Sequence, residues 1–240
     1  MLEDSYKLRK LLIFCCVLAV FVGALSGCGK KTPEIPLQQK KQEGQRLARI
    51  NIRDYGSITF RLLPEEEPEV VNEFLGKAEQ HMYDGTSFYN IIEDYLMIGG
   101  KEADSMTDTG TDSVKKVRAE MKGNLYPFRG ALCTNLLSDG TCTLDSFYVI
   151  GLDEKALGNI EELLDHKGYT LSDYIKFGYK TEVTDDELET FRKYGGAPWL
   201  TGHTVVFGQA IEGMDVLDKI MEDHLGEEDI EAIIDSIETY

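Results

Sequence analysis

Apolar and polar residues alternate along Ala48-Arg-Ile-Asn-Ile-Arg53 and again along Ser57-Ile-Thr-Phe-Arg-Leu-Leu63. A period of two marks a half-buried strand. Asp54-Tyr-Gly56 between them is a turn signal, so the two segments predict a hairpin that Pro64 stops. The period then changes. Pro68 opens a helix with Val70, Val71, Phe74, Leu75 and Ala78 at three-to-four spacing, and Tyr83-Asp-Gly-Thr86 turns the chain into a further strand. Residues 151–198 again read as helical. Leu157, Ile160, Leu163 and Leu164 are expected on one helix face, Thr184-Asp-Asp-Glu187 forms a capping box, and Gly195-Gly196 ends that helix.

The first residues follow another logic. Lys7, Arg9 and Lys10 precede an uncharged apolar run from Leu11 to Ala24, which ends in Leu25-Ser26-Gly27-Cys28. The run is short for a membrane span of about 20 residues. Basic start, apolar middle and small-residue end describe a signal peptide over 1–27. The sequence around Cys28 resembles a lipobox, which implies acylation of that thiol and an extracytoplasmic, membrane-anchored chain. Residues 28–46, rich in Lys, Gln, Glu and Pro, read as a flexible tether reaching about 25 Å. A single domain over 47–240 follows.

Net charge narrows the function. The whole chain carries −18, a field that repels phosphate backbones and argues against nucleic-acid binding. Cys133 and Cys142 are the two cysteines inside the domain. They read as buried free thiols, with a disulfide as the alternative an oxidising compartment would allow. His81, His166, His203 and His224 lack metal-ligand spacing. Asp104, Asp108 and Asp112 do not fit an EF-hand loop, so 101–116 reads as a solvated loop. Neither a metal nor a cofactor is implied, and a monomer is expected.

The stretch Ser87-Phe-Tyr-Asn-Ile-Ile-Glu-Asp-Tyr-Leu-Met-Ile-Gly-Gly100 carries the most information. It resembles the signature strand of the cyclophilin family of peptidyl-prolyl isomerases, Phe-His-Arg-hydrophobic-Ile-x-x-Phe-Met-x-Gln-Gly-Gly-Asp. Phe128-Arg-Gly-Ala-Leu132, Asp145-Ser-Phe-Tyr-Val-Ile150 and Trp199-Leu-Thr-Gly-His-Thr-Val-Val-Phe-Gly208 resemble later family segments in the same order. Gly213 to Ile220 then reads as a second packing helix and Ile230 to Ile237 as a closing strand. The resemblance implies a mainly β fold, a closed eight-stranded barrel capped by two helices, here with a helical insertion over 151–198.

It also implies a site. Tyr95 and Leu96 stand at the family's Phe-Met positions, Tyr148 at the next Phe, and Leu200 at the leucine beside Trp199; with Phe88 they are the expected substrate pocket. Asn90 stands where the family has its catalytic arginine, Ile98 and Ser146 where it has glutamines, and Thr204 where many members carry histidine. The resemblance therefore implies an isomerase of proline-containing segments in exported proteins, with activity weakened at Asn90. The alternative is a catalytically inactive module that binds proline peptides or a partner.

Overall fold

The computed structural model describes residues 36–39, 44–101, 115–121, 125–224 and 232–240. The signal peptide, Cys28, much of the tether, most of the 101–116 loop and Ile230 lie outside these residues. Among the described residues there are ten strands: β1 (Leu47–Ile52), β2 (Gly56–Leu62), β3 (Ser87–Ile92), β4 (Leu96–Gly100), β5 (Lys116–Arg118), β6 (Ala131–Asn135), β7 (Thr141–Thr143), β8 (Ser146–Ile150), β9 (Thr204–Glu212) and β10 (Ala232–Thr239). Five α-helices accompany them: α1 (Pro68–Glu79), α2 (Glu154–His166), α3 (Leu171–Tyr174), α4 (Asp185–Tyr194) and α5 (Met214–Asp223). Eight strands close an antiparallel barrel in the order β1-β10-β3-β4-β8-β6-β9-β2, while β5 and β7 pair separately. The closed eight-stranded barrel is the architecture the motif order implied.

Alternation divides the barrel's side chains between two cores. Inward residues such as Ile50, Phe60, Phe88, Leu132, Phe147 and Phe207 form one cluster. α1 and α5 close on it with Val70, Phe74, Leu75, Leu217 and Ile220. Pro68 starts α1 without a side-chain cap, and its neighbour Glu67 instead accepts bonds from the backbone N–H groups of Glu120 and Met121 at 2.9 and 2.7 Å.

The second core lies on the barrel's other face. Leu96, Cys133, Tyr148, Ile150 and Val206 pack there with Leu157, Leu171, Ile175, Leu188, Phe191 and Trp199. Residues 151–198 thus cover an apolar sheet face with helices. Both bonds of the Thr184–Glu187 capping box form at the start of α4. A second box, Thr170–Asp173, starts α3 and is absent from the sequence-based expectation. Gly195 and Gly196 take φ of 68° and 116°, and a Cβ on Gly196 would meet the Pro127 carbonyl oxygen at 2.4 Å, so the stop demands glycine.

Three expectations need correction. Leu163 does not share the buried face of α2 but is 56% exposed. The closing strand continues to Thr239, two residues beyond the expected end at Ile237. The tether is not free throughout. Pro36 to Gln39 include a 3₁₀ turn, and the Gln38 side chain is buried. It donates to the Tyr126 carbonyl at 2.7 Å and to Gln209 Oε1 at 2.9 Å, and accepts from the Tyr126 N–H at 2.8 Å. Arg61 donates to the Gln38 carbonyl. A polar composition had suggested a solvated coil, but buried amides on the barrel give this glutamine partners.

Candidate functional site

A β-bulge decides which residues reach the outer face. Phe88 lies opposite Gly99, but Asn90 lies opposite Ile98, so β3 gains one residue between them. The extra residue reverses the alternation. Phe88 therefore points into the barrel, edge-on to Phe147 at 6.0 Å, while Asn90 is exposed on the outer side. Gly99 accommodates the Phe88 ring: a Cβ there would lie 2.7 Å from it. Across the sheet from Asn90, register places Ile98, then Tyr148, then Cys133.

Tyr148 is only 5% exposed, and its hydroxyl is used internally. Thr204 Oγ1 donates to the Thr134 carbonyl at 3.0 Å and so accepts from the Tyr148 hydroxyl. Burial holds the Tyr148 phenol well above its ordinary range. It does the same to the Cys133 thiol beside it, which stays protonated and unreactive. Trp199 Nε1 donates to the Tyr95 hydroxyl at 3.0 Å, with the rings 5.8 Å apart. Burial likewise raises the Tyr95 phenol. The result is an apolar face to which Tyr95, Leu96, Ile98, Tyr148, Trp199 and Leu200 contribute, with an amide side chain across from Ile98.

The insertion meets this face. The rings of Tyr174 and Tyr179 lie 6.1 and 6.3 Å from that of Trp199. Their hydroxyls are 3.4 Å apart, and this bond, with burial, pushes the Tyr179 phenol up to about 12. His203 Nε2 lies 3.0 Å from the Tyr179 carbonyl and 2.7 Å from Thr181 Oγ1, fastening the insertion to the approach to β9.

The profile of the family "Cyclophilin type peptidyl-prolyl cis-trans isomerase/CLD" matches residues 47–238. This chain belongs to the cyclophilin family. A Staphylococcus saprophyticus protein named "Putative peptidyl-prolyl cis-trans isomerase" is 29% identical over 201 residues, 81% of this chain and 92% of that protein. A Staphylococcus aureus protein of the same name is 26% identical, covering 84% and 95%. In fold, the chain is similar to a Cryptosporidium parvum cyclophilin type peptidyl-prolyl cis-trans isomerase, with a TM-score of 0.52, 18% identity, and coverage of 82% of this chain and 98% of that one. The same parasite protein was also solved in the presence of the dipeptide Ala-Pro, giving a TM-score of 0.51. Proline isomerisation is the activity that this membership supports.

Within this cyclophilin, Asn90, Tyr95, Leu96, Ile98, Tyr148, Trp199, Leu200 and Thr204 gather on one outer face, and Ser146 lies two residues before Tyr148 on the same strand. Phe88 does not join them, since the bulge turns it inward; that pocket assignment is corrected. Cys133 and Cys142 are both free and buried, in different cores. Sequence reasoning missed Asn135, exposed at the end of β6 and opposite Thr204. It also missed Tyr174 and Tyr179. Two tyrosines five residues apart, flanking Ile175 and Phe177, were the available signal.

Proposed function

We propose that this cyclophilin is a membrane-tethered, extracytoplasmic isomerase of proline-containing segments in exported proteins, with turnover lowered by Asn90. Support for the tether is the order of basic residues, apolar run and Leu25-Ser26-Gly27-Cys28. Recovery of a Cys28→Ala variant in the soluble fraction is the result expected of it.

Rotation about an X–Pro bond faces a barrier of about 20 kcal/mol. No covalent step is needed; the protein must hold the twisted amide better than either planar form. The apolar face of Tyr95, Leu96, Tyr148 and Leu200 holds the prolyl ring. The observation that carries the reading is the exposed Asn90 opposite Ile98, on that same face. Its amide N–H donates to the prolyl unit, but as a short neutral group without the guanidinium's charge and fork. Loss of a charge-assisted bond worth about 1.5–3 kcal/mol slows turnover roughly ten- to a hundredfold.

A binding module is the second reading. It is favoured by one observation: the Trp199 N–H and Tyr148 hydroxyl are both spent within the protein. Exchange NMR on Ala-Pro-Phe peptides, with the full chain and Asn90→Arg, separates the two. Catalysed exchange by the wild type, faster in the variant, supports the isomerase. Resonance shifts without exchange support the module. Silence from both proteins overturns the groove.

A further inference from the structure

We propose that Tyr179, on the insertion, is a positioning residue for the proline site, acting through Trp199 on Tyr95. This inference rests on the isomerase reading given above, in which Tyr95 meets the prolyl ring. Trp199 is itself only 5% exposed, so it serves as a support behind the site rather than as a contact surface. Its Nε1–H donates to the hydroxyl of half-buried Tyr95 at 3.0 Å, with the two rings 5.8 Å apart and tilted by 38°. Where the Tyr95 ring lies therefore depends on where the indole lies.

A tryptophan's own torsions do not fix the plane of its indole, because χ2 has broad wells. Packing must do so, and the insertion supplies it. The Tyr179 ring lies 6.3 Å from that of Trp199, tilted by 33°, and the Tyr174 ring stands nearly edge-on to it at 6.1 Å and 81°. Both separations fall where aromatic pairs attract.

Tyr179 is in turn fastened to the backbone that carries Trp199. Its carbonyl accepts from His203 Nε2 at 3.0 Å, while the His203 backbone N–H bonds the Leu200 carbonyl at 2.9 Å. Thr181 Oγ1 donates to the Thr201 carbonyl at 3.2 Å. The insertion thus grips residues 199, 201 and 203 of one continuous turn. Lys180 lies between these grips at φ 57°, ending a π-helical turn over Ile175–Tyr179. A left-handed lysine is costly and π-turns are rare. Such strain persists where surrounding contacts over-determine it, and it clusters at functional sites.

A firm seat for the prolyl ring helps substrate and transition state alike, so its loss raises KM and leaves kcat unchanged. Mere loss of folded protein would do the reverse, lowering apparent kcat at constant KM. Exchange NMR on Ala-Pro-Phe peptides yields both constants for the full chain. Acrylamide quenching of Trp199, the chain's one tryptophan, reports how firmly the indole is packed. Tyr179→Ala is expected to raise KM roughly two- to tenfold at constant kcat and to make Trp199 more quenchable. Tyr179→Phe keeps the ring and should restore both readings. Phe177→Ala, in the same π-helical turn but 73% exposed, should change neither. Tyr174→Ala removes the edge-on ring from an exposed position and should act as Tyr179→Ala does, which keeps the test intact if the latter fails to fold. An unchanged KM in both alanine variants, a fall in kcat alone, or an equal rise in KM for Phe177→Ala would each overturn the positioning role alone. A wild type that neither binds nor exchanges any peptide would overturn it together with the isomerase reading.

Discussion

One additional residue in β3 determines the chemistry that this face offers. Had β3 paired without the bulge, Phe88 and Asn90 would share a face, and either a ring would leave the core or an amide would enter it. The bulge instead presents a polar group opposite Ile98. Asn90→Arg is therefore expected to raise kcat/KM roughly ten- to a hundredfold in exchange NMR, since the backbone already aims the side chain outward. Thr204 offers a stability test. Thr204→Val leaves the buried Tyr148 hydroxyl without its acceptor and should cost about 1–3 kcal/mol in denaturant unfolding. Adding Tyr148→Phe should return much of that loss, because both polar groups are then gone. The signature motif made Asn90, Tyr95, Leu96 and the Gly-Gly pair legible in the sequence. It misassigned Phe88, because a bulge leaves no trace in alternation until the partner strand is known.

At the level of elements, α4 depends on its cap. Partial burial alone would raise the Glu187 carboxyl, but the Tyr126 hydroxyl and the amide and hydroxyl of Thr184 outweigh it and hold the group below its ordinary range. A depressed carboxyl contributes stability that is complete above its unfolded value and is lost as pH falls through the folded one. Thermal unfolding of the wild type should thus weaken on acidification below about pH 4.5, and Glu187→Gln should flatten that limb. Thr184→Ala should cost about 1 kcal/mol at neutral pH. The Gln38 turn makes a different prediction. Its side chain satisfies both backbone groups of Tyr126, so Gln38→Ala should lower stability by about 1–3 kcal/mol. Helix content in the insertion was legible from caps and apolar spacing. Its meeting with Trp199 was not, because that contact joins segments whose relation only the folded barrel defines.

Across the whole molecule, many phenols are sequestered. Burial is the main cause raising Tyr83, Tyr95, Tyr126 and Tyr148 above the ordinary tyrosine value. Groups with raised folded values stabilise fully below their unfolded value of about 10, and the contribution drains away as pH climbs beyond it. Cooperative unfolding above about pH 10 is the expected outcome, followed by ultraviolet absorbance of tyrosinate. A titration in which all tyrosines ionise near 10 without unfolding would contradict it. Barrel closure itself has a consequence in time. β1 is flanked by β2 and β10, and β2 in turn by β9. A ribosome that has produced the first two hundred residues has made the hairpin but neither of its outer partners, so both seams stay open until the last strands emerge. Ala48 must wait for Thr239. Such long-separation pairing is slow, and the nascent chain spends its synthesis as an unsealed sheet, available to whatever machinery handles unfinished polypeptides.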